Sequence, residues 1–325
     1  MHTDIPPEGD RIYDLYTEVY KPQVIRVALA LDVFTPLAAG AATAEAVACL
    51  CQCDLAGIRR LLDYLASLEV LAKQGDAYAL SPEAATFLVR GSKAYVGDLI
   101  MHFTGPAPWE SLSDSIRAGR PHRFDLEIHF AQDAWIESYR SARLPGSLEM
   151  WAKVGVDPES MARLRILDIA CGCAIKSLAL AQKSPKIELT CLDTSLVLEA
   201  ARDLAERLGV TAQVRFVADN LLTAGLGDNS YDVCLLGQIT HYLTREQDCD
   251  LFRRIYQALV PGGKLVLDVP MEAAQLDENI TFVSLMLWAN SGGSAHSFEQ
   301  YRSWLLEAGF AAVQQHSFRL LSAVR

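Results

Sequence analysis

The chain has 325 residues, enough for two domains or for one domain with a large appendage, and 51% of them are hydrophobic, so a sizeable core can be buried. Its 29 Lys and Arg face 40 Asp and Glu for a formal net charge of −11, which argues against a phosphate-backbone partner because nucleic-acid binding needs a basic surface. No apolar run reaches the length of a membrane span, the acidic start MHTDIPPEGD is no signal peptide, and eight cysteines without a disulfide framework suit reduced thiols; a soluble cytoplasmic protein acting on small molecules is expected.

The first predicted element is a helix over 13–39, in which Val19, Val24, Val27, Leu31 and Phe34 form an apolar face that ends near Gly40. Thr43 caps a second helix with Ala46, Val47 and Leu50 inward, and Asp54 caps a third with Ile58, Leu61, Leu62, Leu65 and Leu68 inward. A hairpin follows, from Val70 and Leu71 through Gly75-Asp76 to Tyr78 and Leu80. Three helices and a hairpin suggest a winged helix, a fold that often reads DNA. Residues 1–110, however, carry 8 Lys and Arg against 14 Asp and Glu, and the third helix sets Arg59 and Arg60 beside Asp54 and Asp63. That is a poor groove reader, and a dimerisation role is the better reading. Cys49, Cys51 and Cys53 make a C-x-C-x-C run, yet residues two apart on a helix point to different faces, so no metal is expected there.

Thr104 to Pro108, with two prolines and a glycine, reads as a linker into connecting helices around Trp135 to Tyr139 and Leu148 to Val154. The predicted organisation is a winged-helix domain over 1–104, connecting helices over 105–160 and a cofactor-binding domain over 161–325.

That last domain opens on LRILDIACGCAIKSLALAQ, residues 164–182. Leu164 to Ile169 reads as a buried parallel strand and Ile175 to Gln182 as a helix, with a tight turn of small residues between them. Such a turn lets the backbone approach a ligand and offers it the amides of a helix N-terminus. A second strand, Ile187 to Leu192, ends on Asp193, where the ribose-binding acid of a nucleoside cofactor belongs. A dinucleotide site and an S-adenosylmethionine site share this layout, so the turn alone does not choose between them. Val214 to Asp219 and Tyr231 to Gly237 read as two further strands, and Val260-Pro261-Gly262-Gly263-Lys264 leads into a fifth, Leu265 to Val269.

The turn resembles the D-x-G-x-G-x-G motif of class I methyltransferases, with Asp168 as the leading acid and Ala170, Gly172 and Ala174 at the glycine positions, and the later P-G-G turn resembles that superfamily's LxPGGxL. An alanine is strained where φ is positive, so only the Gly172 position is secure. With its N-terminal half, the chain resembles the small-molecule O-methyltransferases related to caffeate, hydroxyindole and polyketide-tailoring enzymes, over nearly its whole length. The resemblance implies an α/β fold, a Rossmann-like class I methyltransferase domain preceded by an α-helical winged-helix dimerisation domain. It further implies S-adenosyl-L-methionine as cofactor and a homodimer whose first helices intertwine, with Tyr13, Tyr16 and Tyr20 placed to take part.

By the same resemblance the cofactor is held by Asp168, Ala170 and Gly172 at the turn, Asp193 at the ribose, Asp219 and Asn220 at the adenine, and Gly237 at the end of the fourth strand. His241 matches the catalytic histidine, with Tyr242 in place of the usual Asp or His, and would act as general base. Met286 to Ser297, MLWANSGGSAHS, resembles the family's substrate segment, which assigns Met286, Asn290 and His296 to the substrate together with Tyr139; Trp135 and Met150 are further candidate linings. Ala295 stands where plant members have the glutamate that orients the histidine, leaving His296 and Asp268 as the nearest other partners. Two further readings stay open: a carbon methyltransferase on a keto acid or enolate with a metal on His241 and His296, and a non-methylating enzyme or scaffold on the same fold.

Overall fold

The computed structural model describes residues 10–92, 95–105, 112–119, 147–158, 163–272, 278–291 and 293–325. The chain forms two compact units, residues 1–105 and 106–325.

In the first unit the helix expected over 13–39 is three helices, Asp10–Glu18, Tyr20–Ala30 and Phe34–Ala38. Pro22 explains the first break, since its ring clashes with the carbonyl four residues earlier, at Glu18. The second break falls at Asp32, whose φ of +54° reverses the chain and whose carboxylate accepts the Thr35 hydroxyl at 2.6 Å. Phe34 is fully buried with Ala28, Leu29 and Val33, but Val19 and Val27 are about half exposed, at 51% and 50%, so the expected apolar face is not one face.

Thr43 caps Ala44–Leu50 by accepting the Ala46 N–H, and Asp54 caps Leu55–Ser67 by accepting that of Gly57. Ala44, Val47 and Ala48 point inward from the first of these helices while Leu50 is exposed, a correction to the expected inward set. Cys49 alone of the three cysteines lies on a helix; Cys51 and Cys53 fall in the turn after it. Strands β1 (Leu71–Gln74) and β2 (Ala77–Leu80) form the hairpin, turning at Gly75 with φ +61°. Ile58, Leu62 and Leu65 close this small core beneath Tyr78.

The second unit is built on a seven-stranded sheet. Its strands are β3 (Leu164–Ile169), β4 (Ile187–Asp193), β5 (Val214–Ala218), β6 (Tyr231–Gly237), β7 (Leu259–Asp268), β10 (Ala311–Ser317) and β11 (Leu320–Val324). They lie in the order β10-β11-β7-β6-β3-β4-β5, with β10 and β11 antiparallel and the rest parallel. From β3 the chain steps outward through β4 to β5, then returns to the other side of β3 for β6 and β7. Ligands of open α/β sheets bind at such a reversal, outside the carboxyl ends of the strands.

Both faces of the sheet are covered, as near-continuous apolar strands require. Leu178 of Ile175–Ala181, Leu198 of Ser195–Leu208 and Trp151 of Ser147–Lys153 pack on the face of Ile166, Leu189 and Val233. Phe252 of Arg245–Ala258 and Trp304 of Phe298–Glu307 pack on the opposite face, with Leu167, Leu236 and Leu267. The P-G-G segment belongs to the fifth parallel strand, which begins at Leu259, six residues earlier than expected, because Tyr231 already pairs with Leu259. Two short strands, β8 (Met271–Glu272) and β9 (His296–Ser297), pair in parallel and flank the helix Glu278–Ser291.

Candidate active site at the carboxyl edge of the sheet

The turn after β3 alternates in hand. Ala170, Gly172 and Ala174 have φ of +52°, +57° and +54°, so two alanines hold a conformation that costs an L-residue about 1–2 kcal/mol. The turn is held from three sides: Cys171 N–H donates to the Leu192 carbonyl at 3.2 Å, Ala174 N–H to that of Cys171 at 2.8 Å, and Gly172 N–H to Asp193 Oδ2 at 2.9 Å. The other Asp193 oxygen accepts Thr194 N–H at 2.8 Å. Each carboxylate oxygen keeps a second lone pair, which fits the Asp193 carboxylate to accept two further hydroxyl hydrogen bonds. Burial pushes its pKa up to about 6, against the pull of the two N–H groups.

Asp168, one turn earlier, faces inward. It is buried, its pKa is pushed up to about 7 by desolvation, and it accepts the hydroxyl of fully buried Ser177, tying β3 to the helix that follows. Asp219 is exposed past the end of β5; its N–H donates to the Asp193 carbonyl at 3.1 Å, which sets the two acids side by side. Its carboxylate accepts Asn220 N–H at 2.7 Å, and Asn220 Oδ1 accepts that of Leu222 at 2.8 Å. A turn, not a helix, follows them.

Gly237 ends β6 with a purpose the sequence did not disclose. A Cβ there would lie 3.4 Å from the ammonium of Lys176, which crosses this strand end to pair with Asp268 at the end of β7. Gln238, with φ +57°, donates its side-chain amide to the Asp268 carbonyl at 2.9 Å, and Arg319 Nε stands 3.9 Å from the Asp268 carboxylate. Lys176, Gln238 and Arg319 were not singled out from the sequence. The readable signal was a lone cation in the first turn of an apolar helix.

His241 lies in the short 3-10 turn Thr240–Tyr242 and is only 4% exposed. Thr240 is fixed by a 2.9 Å hydrogen bond with the hydroxyl of fully buried Tyr301. The imidazole Nδ1 is buried without a hydrogen-bond partner among the described residues. Its pKa is pushed down to about 3, first by burial, then by the charge of Arg319 and by His296, with Asp268 opposing. The segment after Glu278–Ser291 reaches this turn by close backbone contact: a Cβ on Gly293 would fall 1.8 Å from the His241 carbonyl oxygen, so only glycine passes. Ala295, two residues further on, is buried.

His296 is half-buried in β9, edge-on to Trp304 at 4.8 Å and to Tyr301 at 5.6 Å, and its Nε2 is also without a partner among the described residues. Met286 is half-buried on the Glu278–Ser291 helix, and Asn290 lies one turn further along it, where the backbone alone is described. Ser115 anchors this helix by donating to the Ala289 carbonyl at 3.1 Å. Tyr139 and Trp135 lie outside the described residues, and Met150 packs in the core beside Trp151. Among the described residues no group of three or more His, Cys, Asp or Glu side chains is placed to hold a metal ion.

This geometry has relatives. Residues 166–263 match the methyltransferase domain family and residues 13–90 the O-methyltransferase dimerisation domain family. Acetylserotonin O-methyltransferase of Mus musculus is 27% identical over 326 residues, covering 93% of this chain and 84% of the mouse protein. The tetracenomycin polyketide synthesis 8-O-methyl transferase TcmO of Streptomyces glaucescens is 28% identical over 330 residues, covering 96% of this chain and 94% of that protein. The crystal structure of human N-acetylserotonin methyltransferase in complex with S-adenosylmethionine superposes with a TM-score of 0.85 at 18% identity, over 100% of this chain and 99% of that one. The turn of small residues and the two-oxygen clamp of Asp193 fit the same cofactor. The chain is thus an S-adenosylmethionine-dependent methyltransferase that joins a methyltransferase domain to an O-methyltransferase dimerisation domain.

Proposed function

We propose that the protein methylates a hydroxyl of a small aromatic or polyketide-like metabolite, with His241 at the acceptor oxygen. The observation that carries this reading is the placement of a buried imidazole just beyond β6, with Gly293 packed closely against its backbone. Mammalian and bacterial relatives that carry O-methyltransferase names point to the same reaction class. Asp193 would hold the ribose hydroxyls, Asp219 and Asn220 the adenine, and Gly172 with its neighbours the methionine part. Met286, Asn290, His296 and Tyr139 would line the acceptor pocket.

When bound, S-adenosylmethionine supplies an electrophilic methyl group on a positively charged sulfur. The protein's own task is to bring the acceptor oxygen in line and take its proton. Positioning supplies much of the rate, and a neutral imidazole can accept the proton. The N-terminal unit, read as a winged helix over 1–104, would build a homodimer in the cytoplasm, with helices 105–160 leading to the catalytic domain.

The test is His241→Gln, assayed on an acceptor whose hydroxyl is not ionised at the assay pH. Turnover should fall by roughly 10² to 10⁴, the usual contribution of a positioned base, while cofactor affinity by calorimetry stays within a factor of two or so. His296→Gln should cost much less. Were the two histidines joint metal ligands, either variant would lose bound metal and activity together. Turnover surviving His241→Gln within about a factor of three would remove the base and leave positioning alone.

A further inference from the structure

We infer that the acceptor is an acidic hydroxyl, such as a phenol conjugated to a ring carbonyl or the enol of a 1,3-diketone, received beside His241 as its oxyanion and stabilised by Arg319. This rests on the O-methyltransferase reading above and narrows its substrate class.

The first support is what surrounds His241. Ala295 supplies no acid, and Nδ1 meets no hydrogen-bond partner among the described residues. Among the described residues the charged and titratable groups that face the imidazole are Arg319 from the turn between β10 and β11, His296 from β9, Asp268 from β7 and the neighbouring Tyr242, whose ring lies 4.5 Å away. Among these described groups only Asp268 favours a protonated ring, and that carboxylate is already engaged by Lys176 and faced by Gln238 and Arg319. An imidazole so placed is a weak base. Each pKa unit by which the hydroxyl exceeds its base makes the proton transfer less favourable by about tenfold, so this base suits a hydroxyl that gives up its proton readily.

The second support is the charge at this end of the sheet. Lys176 and Arg319 share the one carboxylate of Asp268, and Lys176 also faces Asp168, which burial biases toward the neutral acid. Arg319 approaches Asp268 only to 3.9 Å and its side chain is 49% exposed, so its donors are left for an anion. A cation with free donors beside the buried His241 can stabilise an oxyanion held there. The step then balances simply. A lone pair of the ionised oxygen forms the new bond to the methyl carbon, the carbon–sulfur bond breaks with its pair staying on sulfur, and the hydroxyl proton has already passed to solvent or to His241.

The experiment has a binding arm and a rate arm, both on the full chain. In the first, a series of nitro- and acyl-substituted phenols is bound in the presence of S-adenosylhomocysteine, and ionisation of the bound phenol is followed by its phenolate absorbance against pH. Bound members should ionise at least about one pH unit below their free values, a tenfold shift. Arg319→Gln, on an exposed turn, should abolish that shift, and Arg319→Lys should restore part of it. In the second arm kcat/KM should fall steadily as the acceptor becomes less acidic, and Arg319→Gln should lower it by roughly 10- to 100-fold for acidic acceptors. Bound phenols with unshifted ionisation, binding confined to non-acidic phenols, or a kcat/KM indifferent to acidity and to Arg319→Gln would overturn the inference while leaving O-methylation standing. If the protein binds S-adenosylmethionine yet methylates no hydroxyl of either class, the parent reading falls and takes this one with it.

Discussion

Asp248 has a fully buried carboxyl with no hydrogen-bond partner for either oxygen among the described residues. It sits one position past the Thr244–Gln247 capping box of Arg245–Ala258, and desolvation pushes its pKa up to about 8. The folded protein therefore holds a proton on Asp248 at pH values where the unfolded chain, with an ordinary carboxyl near 4, has lost it. Stability from this group is present at low pH and declines as pH rises from about 4 to about 8, with a slope of about 1.4 kcal/mol per pH unit. Asp248→Leu should accordingly raise the denaturation midpoint at pH 8 far more than at pH 5; an equal change at both would assign Asp248 a partner that neutralises it. Asp193, also raised by burial, contributes instead through the cofactor. Asp193→Ala should weaken S-adenosylmethionine binding by roughly 1.5–3 kcal/mol, the range for hydrogen bonds to a charged group. Unchanged affinity by calorimetry in a folded variant would remove it from the site.

The element that departs most from expectation is the turn over 170–174. Its three motif positions are all left-handed, so replacing alanine by glycine relieves about 1–2 kcal/mol of strain while adding about 0.4–1 kcal/mol of unfolded-state entropy. Ala170→Gly and Ala174→Gly should each stabilise the protein by about 0.5–1 kcal/mol in denaturant titrations, and a loss of stability in either would show that the methyl group makes a compensating contact. Most strands were legible because buried parallel strands read as short apolar runs: β3 and β6 have the bounds expected of them, and β4 and β5 differ by one residue. The expected long N-terminal helix is broken: apolar periodicity continues through Pro22 and Asp32, where the backbone does not. The helix Phe298–Glu307 has a start that is legible in the sequence as the Ser297 and Gln300 capping box. The motif positions of the site could be placed because they sit at strand ends in chain order. The Lys176–Asp268 pair could not, since 92 positions separate its partners and only the order of β7, β6 and β3 in the sheet brings them together.

At the scale of the whole molecule, one subunit exposes apolar side chains that a folded monomer has no reason to present. Ile12, Tyr13, Leu15, Tyr16, Val19 and Tyr20 all lie exposed on or between the first two helices, where the Tyr13 and Tyr16 rings are tilted at 6.3 Å and Tyr16 meets Tyr20 edge to face at 5.4 Å. A contiguous exposed apolar face of this kind marks an interaction surface, and obligate dimer interfaces are large and apolar. All of these but Ile12 fall within the O-methyltransferase dimerisation domain, residues 13–90, which gives a second copy of the chain as the natural cover. The acidic balance of that half argues against nucleic acid as an alternative cover, and no binding to duplex DNA is expected at moderate salt. Sedimentation at micromolar concentration should therefore show a dimer. Leu15→Asp with Tyr16→Asp should shift it to monomer, weakening association by roughly a hundredfold or more, because each carboxylate would be buried without a partner at the interface. Both side chains are exposed in the single subunit, so circular dichroism should stay unchanged and a misfolded variant is distinguishable from a dissociated one. A wild-type monomer at that concentration, or a double variant that remains dimeric, would place the subunit contact on another surface and leave the tyrosine-lined helices without a partner.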